Sequence, residues 1–347
     1  MSRWIASAYR PPAWLRSPHV QSALSSSALR RRSGERHFAE TCPVTTEHWL
    51  TTPEGVRLQG FHSRPSGYRP EAGLALLLHG WEGSASSSYM LHTAATLLRA
   101  GMAVFRLNFR DHGATHHANE GIFHSCRLKE VLDAAVQIQQ RFDADRMVVA
   151  GYSLGGNFAL RLALKGPTVG LALAHAAAVC PVLDPAAGMT ALERGPWIYQ
   201  WYFLRKWRAS LRRKRALFPE LHRYDDAALE RGMRSLTDWL VREQTQFGTL
   251  EDYFNGYAVA GDRLLAAPVP LSILTSEDDP VIPVAGFHAL TLPDSAYLEI
   301  AEHGGHCAFL EGVDLSGYAE RWVAARLLGA VGSGTAATMV DPQFATS

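Results

Sequence analysis

Apolar and polar positions follow two periods along this chain, and the switches between them mark its elements. Glu47-His48-Trp49-Leu50-Thr51 and Val56-Arg57-Leu58-Gln59-Gly60-Phe61 alternate around Pro53-Glu54-Gly55. That pattern predicts an antiparallel hairpin. Leu74-Ala75-Leu76-Leu77-Leu78 is apolar throughout, as expected of a parallel strand covered on both faces. Strands and helices then take turns. The pattern predicts a helix over about 87–99, a strand over 102–107 and a helix over about 127–141. A short strand at Met147-Val148-Val149-Ala150 leads to a helix from Asn157 to Leu164, ended by Gly166-Pro167, and then to a strand near 171–179. This rhythm predicts an α/β fold with a mostly parallel central sheet flanked by helices.

The rhythm breaks between about 182 and 267. Trp197, Tyr199, Trp201, Tyr202, Phe203 and Trp207 are followed by Arg208, Arg212, Arg213, Lys214 and Arg215. We read an inserted helical cap over the carboxyl edge of the sheet. Its aromatics are expected to line an acyl pocket and its basic face to be solvated. The sharper alternative is docking on anionic lipid, with aromatics at headgroup level. Strands at 269–275 and 296–300 and a last helix at about 316–328 resume the pattern. Residues 1–44, rich in Pro, Ser and Arg, read as an arm over the surface, and 45–328 as the α/β domain with its cap. Residues 329–347 read as a disordered tail.

Composition narrows the function classes. A chain of 347 residues, 47% hydrophobic and 19% charged, is an ordinary globular protein, and a net charge of +1 gives no field for nucleic acid. Cys42, Cys126, Cys180 and Cys307 are scattered without a C-x-x-C pair. This argues against a disulfide framework or zinc site and for a reducing, cytoplasmic compartment. The first ten residues lack the apolar stretch of a secretory leader. The most apolar segment, 169–183, is broken by His175 and Pro181 and is too short for a membrane span.

The chemistry concentrates at Gly151-Tyr152-Ser153-Leu154-Gly155-Gly156, a G-x-S-x-G pattern between a strand and a helix. A serine hydroxyl needs an adjacent base, itself oriented by a carboxylate. Asp278-Asp279-Pro280 follows the strand at 269–275, and His303-Gly304-Gly305-His306 follows the last strand, giving the order serine, acid, histidine. Asp279, at the turn before Pro280, is preferred to Asp278, which reads as a solvated turn residue or helix cap. His306, deeper in its loop, is preferred to His303, which reads as a supporting or packing residue. Backbone N–H groups of Leu154 and of Trp81, in His79-Gly80-Trp81-Glu82-Gly83, are the expected oxyanion donors. His79 is expected to fix that loop, and Cys307 to be a packing residue. His112, His116, His117 and His124 match no metal-ligand spacing and read as a solvated loop at the pocket mouth. Neither a metal nor an organic cofactor is expected.

Further stretches extend the pattern: Pro12-Ala13-Trp14-Leu15, His19-Val20-Gln21, Asn108-Phe109-Arg110-Asp111-His112-Gly113 and Phe123-His124-Ser125. With these in order from residue 12 to about 310, the chain resembles the YheT-like group of α/β-hydrolases, related to mammalian ABHD-type serine hydrolases. The resemblance implies Ser153 as nucleophile, Asp279 as acid and His306 as base. It implies hydrolysis of small-molecule acyl esters, with acylglycerols or phospholipids among the substrates. No nucleic-acid partner is expected, and the cap is the expected place of any peripheral membrane contact. An acyltransferase on the same scaffold and a non-catalytic binding protein are the other classes this fold can carry.

Overall fold

A computed structural model of the chain describes residues 4–332; residues 333–347 of the expected tail lie outside the described residues. Its strands are β1 (Trp4–Ala6), β2 (Val44–Thr51), β3 (Arg57–Arg64), β4 (Leu74–Leu78), β5 (Ala103–Leu107), β6 (Met147–Tyr152), β7 (Leu173–Val179), β8 (Leu271–Ser276) and β9 (Tyr297–Ala301). They form one sheet in the order β1-β9-β8-β7-β6-β4-β5-β3-β2. The β2–β3 hairpin joins β5 antiparallel, and the other pairings are parallel. The hairpin turns at Gly55, whose φ of 80° suits glycine.

The helices are α1 (Pro18–Ser25), α2 (Ala28–Glu40), α3 (Ser88–Arg99), α4 (Leu128–Arg141), α5 (Leu154–Lys165), α6 (Pro185–Arg194), α7 (Trp197–Leu217), α8 (Asp226–Leu229), α9 (Met233–Gln244), α10 (Leu250–Asn255), α11 (Ala285–His288) and α12 (Tyr318–Gly332). The alternation of side chains along the central strands sorts them into two cores. Leu74, Leu76, Leu78, Phe105 and Val149 pack in one core with Ile138 of α4 and Phe158 of α5. Ala75, Leu77, Val104, Val148 and Ala150 pack in the other with Leu97 of α3 and Leu327 of α12. Burial on both faces is why β4 carries no polar residue.

Two expectations at the ends of the chain need correction. The first 44 residues do more than wrap the surface: β1 adds a parallel edge strand beside β9, and α2 packs on α3. Three residues are too few to leave a periodic trace, so sequence pattern missed β1. The last helix runs to Gly332, so 329–332 are helical rather than tail. Val331 continues the apolar spacing of Leu327 into the same core.

Helices α6–α10 occupy the chain between β7 and β8. The aromatic-basic run forms α7, which is not uniformly solvated on its basic side. Lys214 is buried, pairs with Asp111 at 2.8 Å and donates to the carbonyls of His116 and Asn119. It thus fastens α7 to the loop after β5. At the base of this segment, Asn157 Nδ2 donates to the carbonyls of Val182 (2.8 Å) and Tyr257 (2.7 Å). No helix among the described residues is long and apolar enough to cross a membrane.

Candidate active site

Ser153 stands between β6 and α5 with φ 54° and ψ −117°, a strained conformation for a residue with a side chain. The turn exists because its neighbours have no side chains. A Cβ on Gly151 would lie 2.0 Å from the Gly155 carbonyl oxygen, and one on Gly155 would lie 2.3 Å from the Leu78 carbonyl oxygen. The Ser153 N–H donates to the Val179 carbonyl at 2.9 Å, pinning the turn to the end of β7.

Three loops at the carboxyl ends of β6, β8 and β9 bring the expected residues together. His306 Nε2 lies 2.9 Å from Ser153 Oγ, and His306 Nδ1 lies 2.9 Å from Asp279 Oδ2. With Nδ1 facing a carboxylate, Nδ1 carries the proton and Nε2 is free to accept the serine's. The Asp279 side chain is fully buried, and its Oδ1 also accepts the N–H groups of Val281 (2.8 Å) and Ile282 (3.0 Å). Burial alone would push the His306 imidazole down. The Asp279 charge and hydrogen bond outweigh it and hold the ring well above its ordinary value.

Trp81 and Leu154 flank Ser153 along one cavity wall. Neither backbone N–H has a hydrogen-bond partner among the described residues. Leu154 opens α5, where the first N–H groups of a helix point outward and carry the positive end of its dipole. The Trp81 loop is held from behind by two histidines. His79 Nδ1 donates to the Gly80 carbonyl at 2.8 Å and its Nε2 accepts the Phe109 N–H at 3.2 Å. His112 Nδ1 donates to the Arg110 carbonyl at 2.7 Å and its Nε2 accepts the Glu82 N–H at 3.1 Å. Burial lowers the His79 pKa to about 4 and puts His112 well below its ordinary value, so both stay neutral and able to accept.

His112, His116 and His124 are therefore not a solvated loop: all three are buried, and of the four only His117 is exposed. They do not converge on a common ligand position. His116 faces Ser210, His117 the Ala114 carbonyl, and His124 packs against Phe247 and Tyr253. The described residues do bring Cys180, His306 and Cys307 together, their ligand atoms lying within 4.8 Å of one another. Here the thiols face backbone carbonyls, of Gly305 at 3.9 Å and Val179 at 3.6 Å, and burial pushes the Cys180 thiol well up. Cys180, buried and with its thiol pushed toward the neutral form, is a poor metal ligand.

Residues outside the expected set hold the histidine loop. Asp278 Oδ1 accepts the Gly305 N–H at 2.9 Å, so it is a brace for that loop rather than a solvated turn residue or helix cap. His303 lies 3.5 Å from the other Asp278 oxygen. From the N-terminal segment, Ser22 Oγ accepts the His306 N–H at 3.0 Å, and Gln21 Oε1 accepts the Leu310 N–H at 2.8 Å. The conspicuous His19-Val20-Gln21 stretch was the sequence signal that this segment matters.

The cavity beside Ser153, about 130 Å³, is walled by Phe203, Trp207, Met233, Leu240, Phe254 and Ile282 among others, with no Lys, Arg, Asp or Glu. The one titratable side chain in its wall besides the tyrosines, His124, has its pKa lowered by burial to about 3 and is neutral.

A strand–serine–helix turn, with an acid and a histidine at successive strand ends of one mostly parallel nine-stranded sheet, defines a hydrolase of the α/β class. The alpha/beta hydrolase fold family model matches residues 75–313, and the chain belongs to that family. It is 26% identical over 261 residues to the protein YheT of Escherichia coli (strain K12), described as a candidate esterase, covering 73% of this chain and 74% of that one. It is 24% identical over 256 residues to the Caenorhabditis elegans protein abhd-3.2, covering 72% and 68%. An esterase structure from Pyrococcus furiosus shares the fold, with a TM-score of 0.54 and 15% identity over 85% of this chain and 92% of that one.

Proposed function

We propose that the protein hydrolyses carboxylic esters through an acyl-serine intermediate. The observation that carries the reading is the continuous relay from Asp279 through His306 to Ser153 Oγ, both contacts at 2.9 Å. His306 takes the Ser153 proton as Oγ attacks the acyl carbon, then gives it to the departing alcohol oxygen. It next takes a proton from water, whose oxygen attacks the acyl carbon, and returns that proton to Ser153 Oγ as the bond to the acyl group breaks and the acid leaves. Asp279 holds the imidazole and stabilises the imidazolium. The unpartnered N–H groups of Trp81 and Leu154 support an oxyanion hole at their shared wall.

The uncharged cavity supports an apolar acyl chain. Lipid esters fit this picture, and so does docking at a lipid surface through the start of α7, where Trp197 is 73% and Trp201 48% exposed. The test is initial rates on p-nitrophenyl esters from acetate to long acyl chains, with wild type and Ser153→Ala. Turnover that depends on Ser153 supports the reading, and the preferred chain length sizes the cavity. An acyl product that appears only with an added alcohol or thiol acceptor would instead indicate an acyltransferase.

A further inference from the structure

Ser153 borders two cavities, and they differ in chemistry. The first, described above, has no charged wall. The second, about 150 Å³, shares Trp81, Ser153 and Phe203 with it. The rest of its wall includes hydroxyls of Ser26, Ser87 and Tyr202 and two cations, Arg31 of α2 and Lys206 of α7, and no Asp or Glu.

Acyl transfer dictates which half of an ester occupies which space. The departing alcohol oxygen takes its proton from His306 Nε2, so the alcohol must lie against His306. His306 borders the second cavity and not the first. The acyl chain therefore belongs in the apolar cavity and the alcohol in the cationic one.

The cations are available to a ligand. The Arg31 guanidinium has no hydrogen-bond or ion-pair partner among the described residues. Lys206 Nζ donates to the Glu82 carbonyl and lies 3.5 Å from Tyr202 Oη, and an ammonium has three donors. The Glu82 side chain borders a separate small cavity with Asp111 and Lys214; it feels the Lys206 charge, but burial raises its pKa to about 7, and Arg31 has no carboxylate among the wall residues. A concave site walled by one sign of charge concentrates the opposite sign, and a guanidinium suits a planar or tetrahedral oxyanion.

We propose that the second cavity is an alcohol subsite that selects acyl esters whose alcohol half carries a phosphate or carboxylate, with Arg31 and Lys206 recognising the anion. This rests on the ester-hydrolase reading. The N-terminal segment thereby acquires a specificity role: α1 and α2 supply one wall of the subsite, and Ser22 of α1 holds the His306 loop.

The test pairs two monomeric substrates with the same short acyl group, butyryl glycerol and butyryl glycerol 3-phosphate. The expected result is a higher kcat/KM for the phosphate ester, falling as salt rises. Arg31→Ala should cut that preference about tenfold, chiefly through KM, and Arg31→Glu should cut it further. Arg31 is exposed at the surface, so neither change threatens the fold. Equal kcat/KM for the two esters, or a preference indifferent to Arg31, overturns the assignment. So does a preference seen only when long-chain esters are presented in anionic vesicles, which would locate the effect at the lipid surface. Calorimetric titration with glycerol 3-phosphate separates this subsite from the hydrolase reading. Binding weakened by Arg31→Ala supports the subsite even if no ester is turned over, and absence of binding counts against it even in an active esterase.

Discussion

The Ser22 hydroxyl accepts the backbone N–H of His306 at 3.0 Å, joining residues 284 positions apart. The N-terminal segment thereby holds the loop that carries the proposed base. Ser22→Ala leaves that N–H without its partner at a mostly buried site, a loss of about 1–3 kcal/mol. The expected outcome is a kcat lower by about tenfold with KM little changed, since the loop misplaces His306 rather than the substrate. Steady-state kinetics on one p-nitrophenyl ester checks it.

Asp279 sets the protonation of His306. Its charge raises the imidazole pKa, and the rate needs the neutral ring, so activity should rise with pH through a value above the ordinary histidine range. Asp279→Asn removes the charge, and the rising limb should move to lower pH. The same change disturbs the tautomer and should lower kcat by about 10⁴. A pH–rate profile of wild type and variant reads both effects. A limb that does not move would show that Asp279 is not what raises the pKa.

The elbow tolerates no side chain at Gly155, where a Cβ would sit 2.3 Å from one backbone oxygen and 2.5 Å from another. Backbone cannot yield as a flexible side chain can. Gly155→Ala should therefore cost more than about 4 kcal/mol, in the range of severe substitutions, or prevent folding. Denaturant unfolding measures it, with Gly232→Ala, where nothing lies within 4 Å of the added Cβ, as the comparison.

How much of this could be read from the sequence depended on how local each signal is. Ser153, Asp279 and His306 were singled out because an elbow and two strand-end loops leave short signatures, glycine spacing above all, and the fold brings the three within hydrogen-bond distance. Ser22 was not, and Asp278 was read only as a rival acid or turn residue, because their partners, His306 and Gly305, are fixed by tertiary packing that has no periodicity. The four-histidine loop was misread for a related reason. Composition gives histidine as polar, while burial beneath the cap keeps three of the rings neutral and packed. Lys214 looked like its basic neighbours in sequence, and only the position of Asp111 distinguishes it.

That Lys214–Asp111 pair gives a stability prediction. Both side chains are almost wholly buried. Lys214→Met strands a buried carboxylate and should destabilise the fold by about 3–5 kcal/mol. Adding Asp111→Asn should recover part of the loss, because the stranded charge is gone while the Phe123 N–H keeps a side-chain oxygen to donate to. Thermal unfolding of the single and double variants tests this, and an additive second loss would contradict it.

Exposed aromatics at the start of α7 predict lipid binding separable from catalysis. Replacing Trp197 and Trp201 together by Ala should reduce co-sedimentation with anionic vesicles at low salt and leave turnover of a soluble short-chain ester near wild type, since neither residue lines the cavities beside Ser153. Failure of the wild-type protein to co-sediment would remove the docking proposal.

The central claim is a covalent acyl-serine at Ser153, and labelling with a serine-reactive fluorophosphonate followed by peptide mapping by mass spectrometry tests it most directly. The account predicts one adduct, on Ser153, abolished by Ser153→Ala and strongly slowed by His306→Ala. A folded wild-type protein that takes no label, or takes it on another residue, would contradict it.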